Sequence, residues 1–230
     1  MSTAESAVIP LVDYKYHKLD TGPAMNATIT REQALNYLKL MHTIRRLETT
    51  AGNLYKEKVI RGFCHLYSGQ EAVAAGIEAA LQPGDALITS YRCHGFAYSR
   101  GNTPHSILAE LCGKTSGVSK ARGGSMHIFG KDFYGGNGIV GAQVPLGTGI
   151  SLAYKHMNKP NVVITLYGDG AANQGQVFES FNLAKVLNLP VIYLCENNQY
   201  GMGTSAKRSS ASTLYYTRGD FIPGLWVSLI

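Results

Sequence analysis

The sequence predicts an α/β fold in which an open parallel sheet is flanked by helices. Two continuous apolar runs, at 162–167 and 191–195, are separated by a helical stretch at 176–187. Continuous apolar residues, rather than alternating ones, are typical of strands that are buried on both faces, as in parallel sheets. A strand, a helix and a second strand within 162–195 indicate a right-handed βαβ unit.

The composition is that of a folded chain. Of the 230 residues, 45% are hydrophobic and 16% are charged, which is too apolar for a disordered protein. No apolar run approaches the ~18 residues of a membrane-spanning helix. Lys and Arg exceed Asp and Glu by 21 to 15, but the net charge of +6 is spread along the chain. We therefore expect neither a membrane nor a nucleic acid as partner.

The first elements follow from capping signals and apolar periodicity. Residues 1–29 are expected to form an extended N-terminal arm, and residues 30–230 a single α/β domain. Thr30 and Gln33 form a capping-box pattern at the start of a long helix. The apolar stripe of this helix, with spacings of three and four, comprises Tyr37, Leu40, Ile44, Leu47, Ala51 and Leu54.

Turn and capping residues (Gly, Pro and Thr) indicate the element boundaries in the middle of the chain. A second helix is expected at 68–81, a short strand at 86–91, and a third helix at 103–113, where Thr followed by Pro is a start signal. The stretch 114–141 is rich in glycine and lacks periodicity, which predicts a long functional loop. A helix at 144–156 precedes the βαβ unit.

Several other sites are excluded by spacing. The four cysteines form neither a CxxC pair nor a Cys/His zinc pattern, so free thiols in a reducing compartment are expected. Gly136, Gly138 and Gly141 match the dinucleotide pattern GxGxxG, but no apolar strand precedes them and no acid follows at the required distance. There is no P-loop. The first twenty residues lack Arg and are a poor match to a transit peptide.

The residues that point to chemistry follow the two strands of the βαβ unit. Gly168-Asp169-Gly170 comes after the first strand and Glu196-Asn197-Asn198 after the second. Ligands of open parallel sheets bind beyond the carboxyl ends of strands, and a following helix start suits a diphosphate. Carboxylate, amide and main-chain oxygens, the last from Tyr200-Gly201, are ligands that Mg²⁺ prefers. A turn with an Asx cap is the structural alternative.

The longer motifs resemble the alpha subunits of the thiamine diphosphate-dependent 2-oxo acid dehydrogenases, in particular those of the pyruvate dehydrogenase first component. The similarity runs from about Thr30 to Leu225. The wording GNGIVGAQ at 136–143 favours pyruvate, because the related branched-chain enzymes usually lack it. The motifs that carry the resemblance lie at 61–65, 91–95, 123–127, 134–143, 168–179 and 196–204.

The resemblance implies a thiamine diphosphate-binding fold and a role for each matched residue. Asp169, Asn198 and the carbonyl of Tyr200 would ligate Mg²⁺. His65 would stand near the substrate channel, and ordinary core packing remains the alternative for it and for Tyr91. Ser205 matches a regulatory phosphorylation position, with an unmodified loop serine as the alternative. The cofactor would further contact Tyr91, Arg92, Gly138, Val140, Gly170 and Ala171.

The resemblance also implies partners. The acid that activates the cofactor would come from a beta subunit, in a heterotetramer of two alpha and two beta chains in the mitochondrial matrix. The acetyl group from pyruvate would pass to a lipoyl-bearing second component. The C-terminal part of the fold is expected to be missing, because the ending at 226–230 departs from the family. The alternatives are a catalytically inactive subunit that acts only by interaction, or the alpha subunit of a branched-chain or acetoin dehydrogenase.

Overall fold

The computed structural model describes residues 5–11 and 14–228, while residues 1–4 and 12–13 of the expected arm and the last two residues, 229–230, lie outside the described residues. None of the helices in the described part is both long and apolar enough to cross a bilayer.

A parallel sheet of three strands confirms the predicted fold class. Its strands are Ala86–Ile88 (β4), Val163–Gly168 (β5) and Val191–Glu196 (β6), with β5 in the middle. All five residues from Val163 to Tyr167 are buried, as the continuous apolar run predicts. β4 ends three residues earlier than expected, because its pairing with β5 stops at Ile88.

A further segment borders the sheet on the other side of β4. The amide of Leu87 donates to the carbonyl of Asp132, and that of Tyr134 donates back to Leu87, at 3.0 and 2.8 Å. Residues 132–135 therefore run parallel to β4, inside the stretch that was predicted to be a loop. After β4 the chain continues to the 132–135 segment at one edge of the sheet, and after β5 it continues to β6 at the other edge. The position between β4 and β5 is therefore a topological switch point, where open α/β sheets bind ligands.

Helices cover the sheet and match most of the predicted positions. Two helices are unpredicted, the short Ala206–Ser209 and His94–Ser99. In His94–Ser99, Gly95 allows close contact, because a Cβ there would lie 2.4 Å from the ring of Tyr67. Packing, rather than helix propensity, therefore decides this element. The helices are Arg31–Lys56 (α1), Glu71–Ala80 (α2), His94–Ser99 (α3), Pro104–Leu111 (α4), Gln143–His156 (α5), Gly175–Val186 (α6) and Ala206–Ser209 (α7).

The expected arm contains paired strands. It holds Ser6–Pro10 (β1), Tyr14–His17 (β2) and Asn26–Thr30 (β3), and β1 pairs with β3 in antiparallel fashion. β2 pairs with Gly224–Val227 (β9), where the ammonium of Lys15 lies 4.9 Å from the ring of Trp226. Two short strands, Tyr200–Gly201 (β7) and Thr204–Ser205 (β8), form a hairpin between β6 and α7.

Gly147 lets α5 lie directly on the sheet. A Cβ at Gly147 would be 2.0 Å from Oγ1 of Thr165 and 3.0 Å from a methyl group of Ile88. On the same helix, a Cβ at Gly149 would meet nothing within 4 Å. The contact between α5 and β5 therefore depends on one glycine and not on the other.

We expect Gly147→Ala to lower the free energy of unfolding by about 1–3 kcal/mol, the usual cost of overpacking. Gly149→Ala is the matched control and should raise it by about 0.5–1 kcal/mol, because alanine favours the helix. Denaturant unfolding of both variants measures the difference. Equal effects at the two positions would contradict the close approach.

Candidate functional site

The candidate residues emerge at one edge of the sheet. Because β4, β5, β6 and the 132–135 segment run in the same direction, their carboxyl ends lie side by side. The segments that follow them are 89–92, 136–141, 169–171 and 197–200, and they contain all the predicted cofactor and metal residues.

Asp169 is a buried carboxylate at the end of the central strand. It is 2% exposed, and its Oδ2 lacks a hydrogen-bond partner among the described residues. Burial raises the pKa of this carboxyl, although its own amide and that of Asn198 act in the opposite direction. Burying a carboxylate oxygen without a hydrogen-bond partner costs free energy. A cation bound beside Asp169 would offset that cost.

Three groups that can each present an oxygen, the carboxylate of Asp169, the side-chain amide of Asn198 and the carbonyl of Tyr200, converge at this point and are called the oxygen cluster below. The amide group of Asn198 places one polar atom 3.0 Å from Oδ1 of Asp169 and 2.9 Å from the carbonyl oxygen of Tyr200. When that atom is the amide oxygen, it accepts from the Tyr200 amide at 3.3 Å, while the amide nitrogen donates to Gln70 at 3.2 Å. When it is the nitrogen, it donates to both neighbouring oxygens instead.

The spacing of these oxygens fits an octahedral cation. Ligands at 2.0–2.1 Å from Mg²⁺ and at right angles to each other lie roughly 2.9 Å apart, close to the distances at Asp169, Asn198 and Tyr200. Gln199, between Asn198 and Tyr200, has a left-handed backbone with φ 73°. The described residues contain no cluster of three or more His, Cys, Asp or Glu, so the donors here include amide and main-chain oxygens.

Two glycines leave a cradle beside the oxygen cluster. A Cβ built on Gly170 would lie 3.3 Å from Cα of Gly201, and one built on Gly168 would meet nothing within 4 Å. The main chain is therefore bare at the start of the β5–α6 connection, as a bound diphosphate requires. Ala171, the next predicted cofactor residue, is buried there.

Helix α6 begins one residue before the predicted start at 176, so its position is confirmed. A 3₁₀ turn, Ala171–Asn173, and the extended residue Gln174 separate Gly170 from α6. The first turn of α6 is therefore not the element that directly follows the Gly-Asp-Gly turn. The main-chain amides nearest the cradle belong to the 3₁₀ turn, because Gln174 leaves helical geometry before α6 begins.

The glycine-rich segment 136–141 lies beside the same connection. The carbonyl of Val140 accepts from the side-chain amides of Gln174 and Gln176 at 3.2 and 3.5 Å. A Cβ at Gly138 would contact Met126 and the imidazole of His127 at 3.4 and 3.5 Å. The side chain of Val140 is exposed, so this strip of main chain can face a ligand.

His65, Tyr91 and Arg92 form a second group. The rings of His65 and Tyr91 are 4.8 Å apart, and the guanidinium of Arg92 lies 5.8 Å from the Tyr91 ring. Arg92 also donates to the main-chain carbonyl of Leu66. Burial, then the charge of Arg92, and then His94 lower the pKa of His65 to about 4, so its imidazole is neutral near pH 7.

Buried side chains connect this group to the oxygen cluster. The hydroxyl of Tyr67 donates to Glu196 at 3.1 Å, and Glu196 precedes Asn198 at the end of β6. Burial raises the pKa of Glu196 to about 7, while Tyr67 and the charge of Arg92 lower it. The segment that carries His65 is therefore connected to the segment that carries Asn198.

Sequence reasoning missed three buried polar residues near His65. Glu48 and His94 are completely buried, and Ser125 is almost so. Glu48 lies on the apolar face of α1, four residues after Ile44, while His94 and Ser125 stand inside the motifs at 91–95 and 123–127, which do not show that the three residues meet. Ser205 lies outside these groups, opposite Tyr200 in the β7–β8 hairpin and just before α7.

Comparisons with known proteins point in the same direction. A family model described as "Dehydrogenase E1 component" matches residues 39–228. The chain is 64% identical over 214 residues to the pyruvate dehydrogenase E1 component subunit alpha type II, mitochondrial, of Ascaris suum, which covers 93% of this chain and 55% of that protein. It is 57% identical over 224 residues to the somatic, mitochondrial alpha subunit of Homo sapiens, which covers 97% of this chain and 57% of that protein.

The chain spans little more than half the length of these relatives. Proteins that share only a fold are usually much less similar than these relatives, which are 57–64% identical over nearly the whole of this chain. The family membership predicted from the motifs is therefore confirmed.

We expect NMR of the histidine rings to find a pKa of about 4 for His65. Because the pKa of His65 is lower in the folded state than its value of 6.5 in the unfolded chain, the folded state binds this proton less readily. The contribution of His65 to the free energy of unfolding is therefore fully present above pH 6.5. It is lost as the pH falls toward 4. Arg92→Gln should raise the pKa of His65, and Arg46→Gln on exposed α1 surface should not. An unchanged value in Arg92→Gln would contradict the proximity of the two groups.

Proposed function

This chain belongs to the dehydrogenase E1 component family, and we propose that it serves as the alpha subunit of a mitochondrial pyruvate dehydrogenase. The reaction is the oxidative decarboxylation of pyruvate with transfer of the acetyl group to a lipoyl carrier. The observation that supports the proposal is the convergence of the Asp169 carboxylate, the Asn198 side-chain amide and the Tyr200 carbonyl beside the main chain of Gly170.

The residues at the sheet edge fit thiamine diphosphate with Mg²⁺. Asp169, Asn198 and the Tyr200 carbonyl would hold the metal. The Gly170–Ala171 main chain would approach the diphosphate, and Arg92 would supply a charge-assisted hydrogen bond to it. When bound, thiamine diphosphate supplies the carbon nucleophile for the 2-oxo group and accepts the electron pair left as CO₂ departs.

The chain's own residues would bind and orient. Gly138 and Val140 would present main-chain groups to the aminopyrimidine, since the strip 136–141 lies beside the β5–α6 connection. Tyr91, next to Arg92, would contribute to binding the diphosphate. The neutral imidazole of His65 stands between Phe63 and Tyr91, with ring centroids 4.7 and 4.8 Å away. There its ring N–H can donate a hydrogen bond to the carboxylate of the substrate without adding a charge.

We propose a beta subunit as the partner that completes this site, in a heterotetramer of two alpha and two beta chains, with a lipoyl-bearing second component as the acceptor. Exposed apolar side chains at the edge of the cradle support a covering chain: Ile139 is 75% and Met202 is 78% exposed. The carboxylate that activates the cofactor would come from the beta subunit. Phosphorylation of Ser205, opposite Tyr200, would place negative charge near the diphosphate and weaken its binding.

Measuring CO₂ release from pyruvate tests the proposal. This chain is co-expressed with a matching beta subunit and assayed with and without thiamine diphosphate and Mg²⁺. Release that depends on both cofactors is the expected result. CO₂ release only from branched-chain 2-oxo acids, or release of acetaldehyde from acetoin, would assign a related dehydrogenase. A stable complex that carries out none of these reactions would make the chain an inactive subunit that acts by interaction.

We expect Asp169→Asn to abolish Mg²⁺-dependent binding of thiamine diphosphate, because it removes the charged metal ligand. Its melting temperature without metal should not fall, since the variant relieves a desolvated carboxylate. Calorimetric titration and thermal melts measure the two effects. Asp220→Asn, at an exposed position, is the matched control. Cofactor binding that survives in Asp169→Asn would reject this residue as the metal ligand.

A further inference from the structure

A chain of buried polar side chains crosses the core behind the candidate site. Nδ1 of His94 lies 2.9 Å from Oε1 and 3.2 Å from Oε2 of Glu48. Nε2 of His94 lies 3.1 Å from Oγ of Ser125 and 3.2 Å from its carbonyl oxygen. Glu48 and His94 are 0% exposed, and Ser125 is 7% exposed. Helix α1, helix α3 and the glycine-rich loop are thereby joined through one imidazole.

This chain of side chains holds the main chain around His65 from both sides. The amide of His65 donates to Oγ of Ser125 at 3.0 Å, and the amide of Tyr67 donates to Oε2 of Glu48 at 2.9 Å. The carbonyl between them, that of Leu66, accepts from Arg92. Two peptide groups, the one that joins residues 64 and 65 and the one that joins residues 66 and 67, are thus held by side chains rather than by secondary structure.

Glu110 places the serine. Its carboxylate, completely buried in α4, accepts from the amides of Gly123 and Gly124 at 2.7 and 3.2 Å. It also accepts from the amides of Ser119 and Ala121. These bonds hold the loop up to the residue before Ser125. They thereby place the main chain from which the Ser125 hydroxyl reaches His94 and the amide of His65.

Glu, His and Ser in this order also form nucleophilic triads in hydrolases. That role does not fit here, because Ser125 is buried and its Oγ already accepts from the amide of His65. Apolar side chains would fill the same volume without the cost of burying a carboxylate. Unlike apolar side chains, Glu48, His94 and Ser125 form directional hydrogen bonds. Those of Glu48 and Ser125 fix the positions of the amides of Tyr67 and His65.

We propose that Glu48, His94 and Ser125 are positioning residues that fix the imidazole of His65 at the candidate site. The inference rests on the proposed function for the role of His65, but not for the placement itself. The three residues touch neither the oxygen cluster nor the glycine cradle. They act through the main chain of His65.

The first test is a double-mutant cycle in the complex with the beta subunit. Ser125→Ala removes only the hydroxyl and should lower kcat by on the order of tenfold, the worth of one hydrogen bond, with the KM for thiamine diphosphate unchanged. In a His65→Ala background the same change should have less than about a twofold effect. Ser151→Ala, a buried serine that donates within α5, is the matched control and should leave kcat unchanged.

Hydrogen exchange of the same complexes tests placement without activity. In Ser125→Ala, the amides of residues 63–67 should exchange on the order of tenfold faster, and those of β5 should not change. Unchanged protection at 63–67 would overturn the proposal, as would equal losses of kcat in the two backgrounds. If the wild-type complex releases no CO₂, the proposed function fails, and the exchange of residues 63–67 still decides the placement.

Discussion

Parallel pairing between β5 and β6 is the constraint on which the site depends. Its register sets Gly168 opposite Glu196, so the chain leaves both strands at the same level of the sheet. Asp169 and Asn198 then meet within hydrogen-bond distance although 28 residues separate them in the printed sequence. The oxygen cluster, the glycine cradle and the connection to Tyr67 all follow from this register, because each is attached to the end of one of these two strands.

The site is built at the expense of local stability. A buried Asp whose Oδ2 has no hydrogen-bond partner among the described residues, a Glu with a raised pKa and a His with a lowered pKa lie together behind one sheet edge. Burial is the largest cause of all three pKa shifts. The exclusion of water therefore destabilises the charged groups of the site and also strengthens the electrostatic interactions between them. The hydrogen bonds that fix residues 65–67 keep these groups in place at that cost.

Much of this was predictable from local patterns. The βαβ unit follows from two apolar runs, the start of α1 from a capping box that the structure contains, and the pairing of Asp169 with Asn198 from the rule for parallel strands. α3 and the 3₁₀ turn before α6 were not predictable, because a glycine packed against Tyr67 and a single extended residue decide them. The roles of the predicted cofactor residues remain proposals.

The sequence by itself determined the family, the fold class and the residues at the ends of the strands, because apolar periodicity and short motifs are properties of contiguous residues. Only the tertiary structure decided which of those residues touch. The meeting of Glu48, His94 and Ser125 joins residues that are up to 77 positions apart in the printed sequence, and none of the three belongs to a pattern that predicts the other two. Burial selects such contacts, since polar groups removed from water must find partners wherever the fold places them.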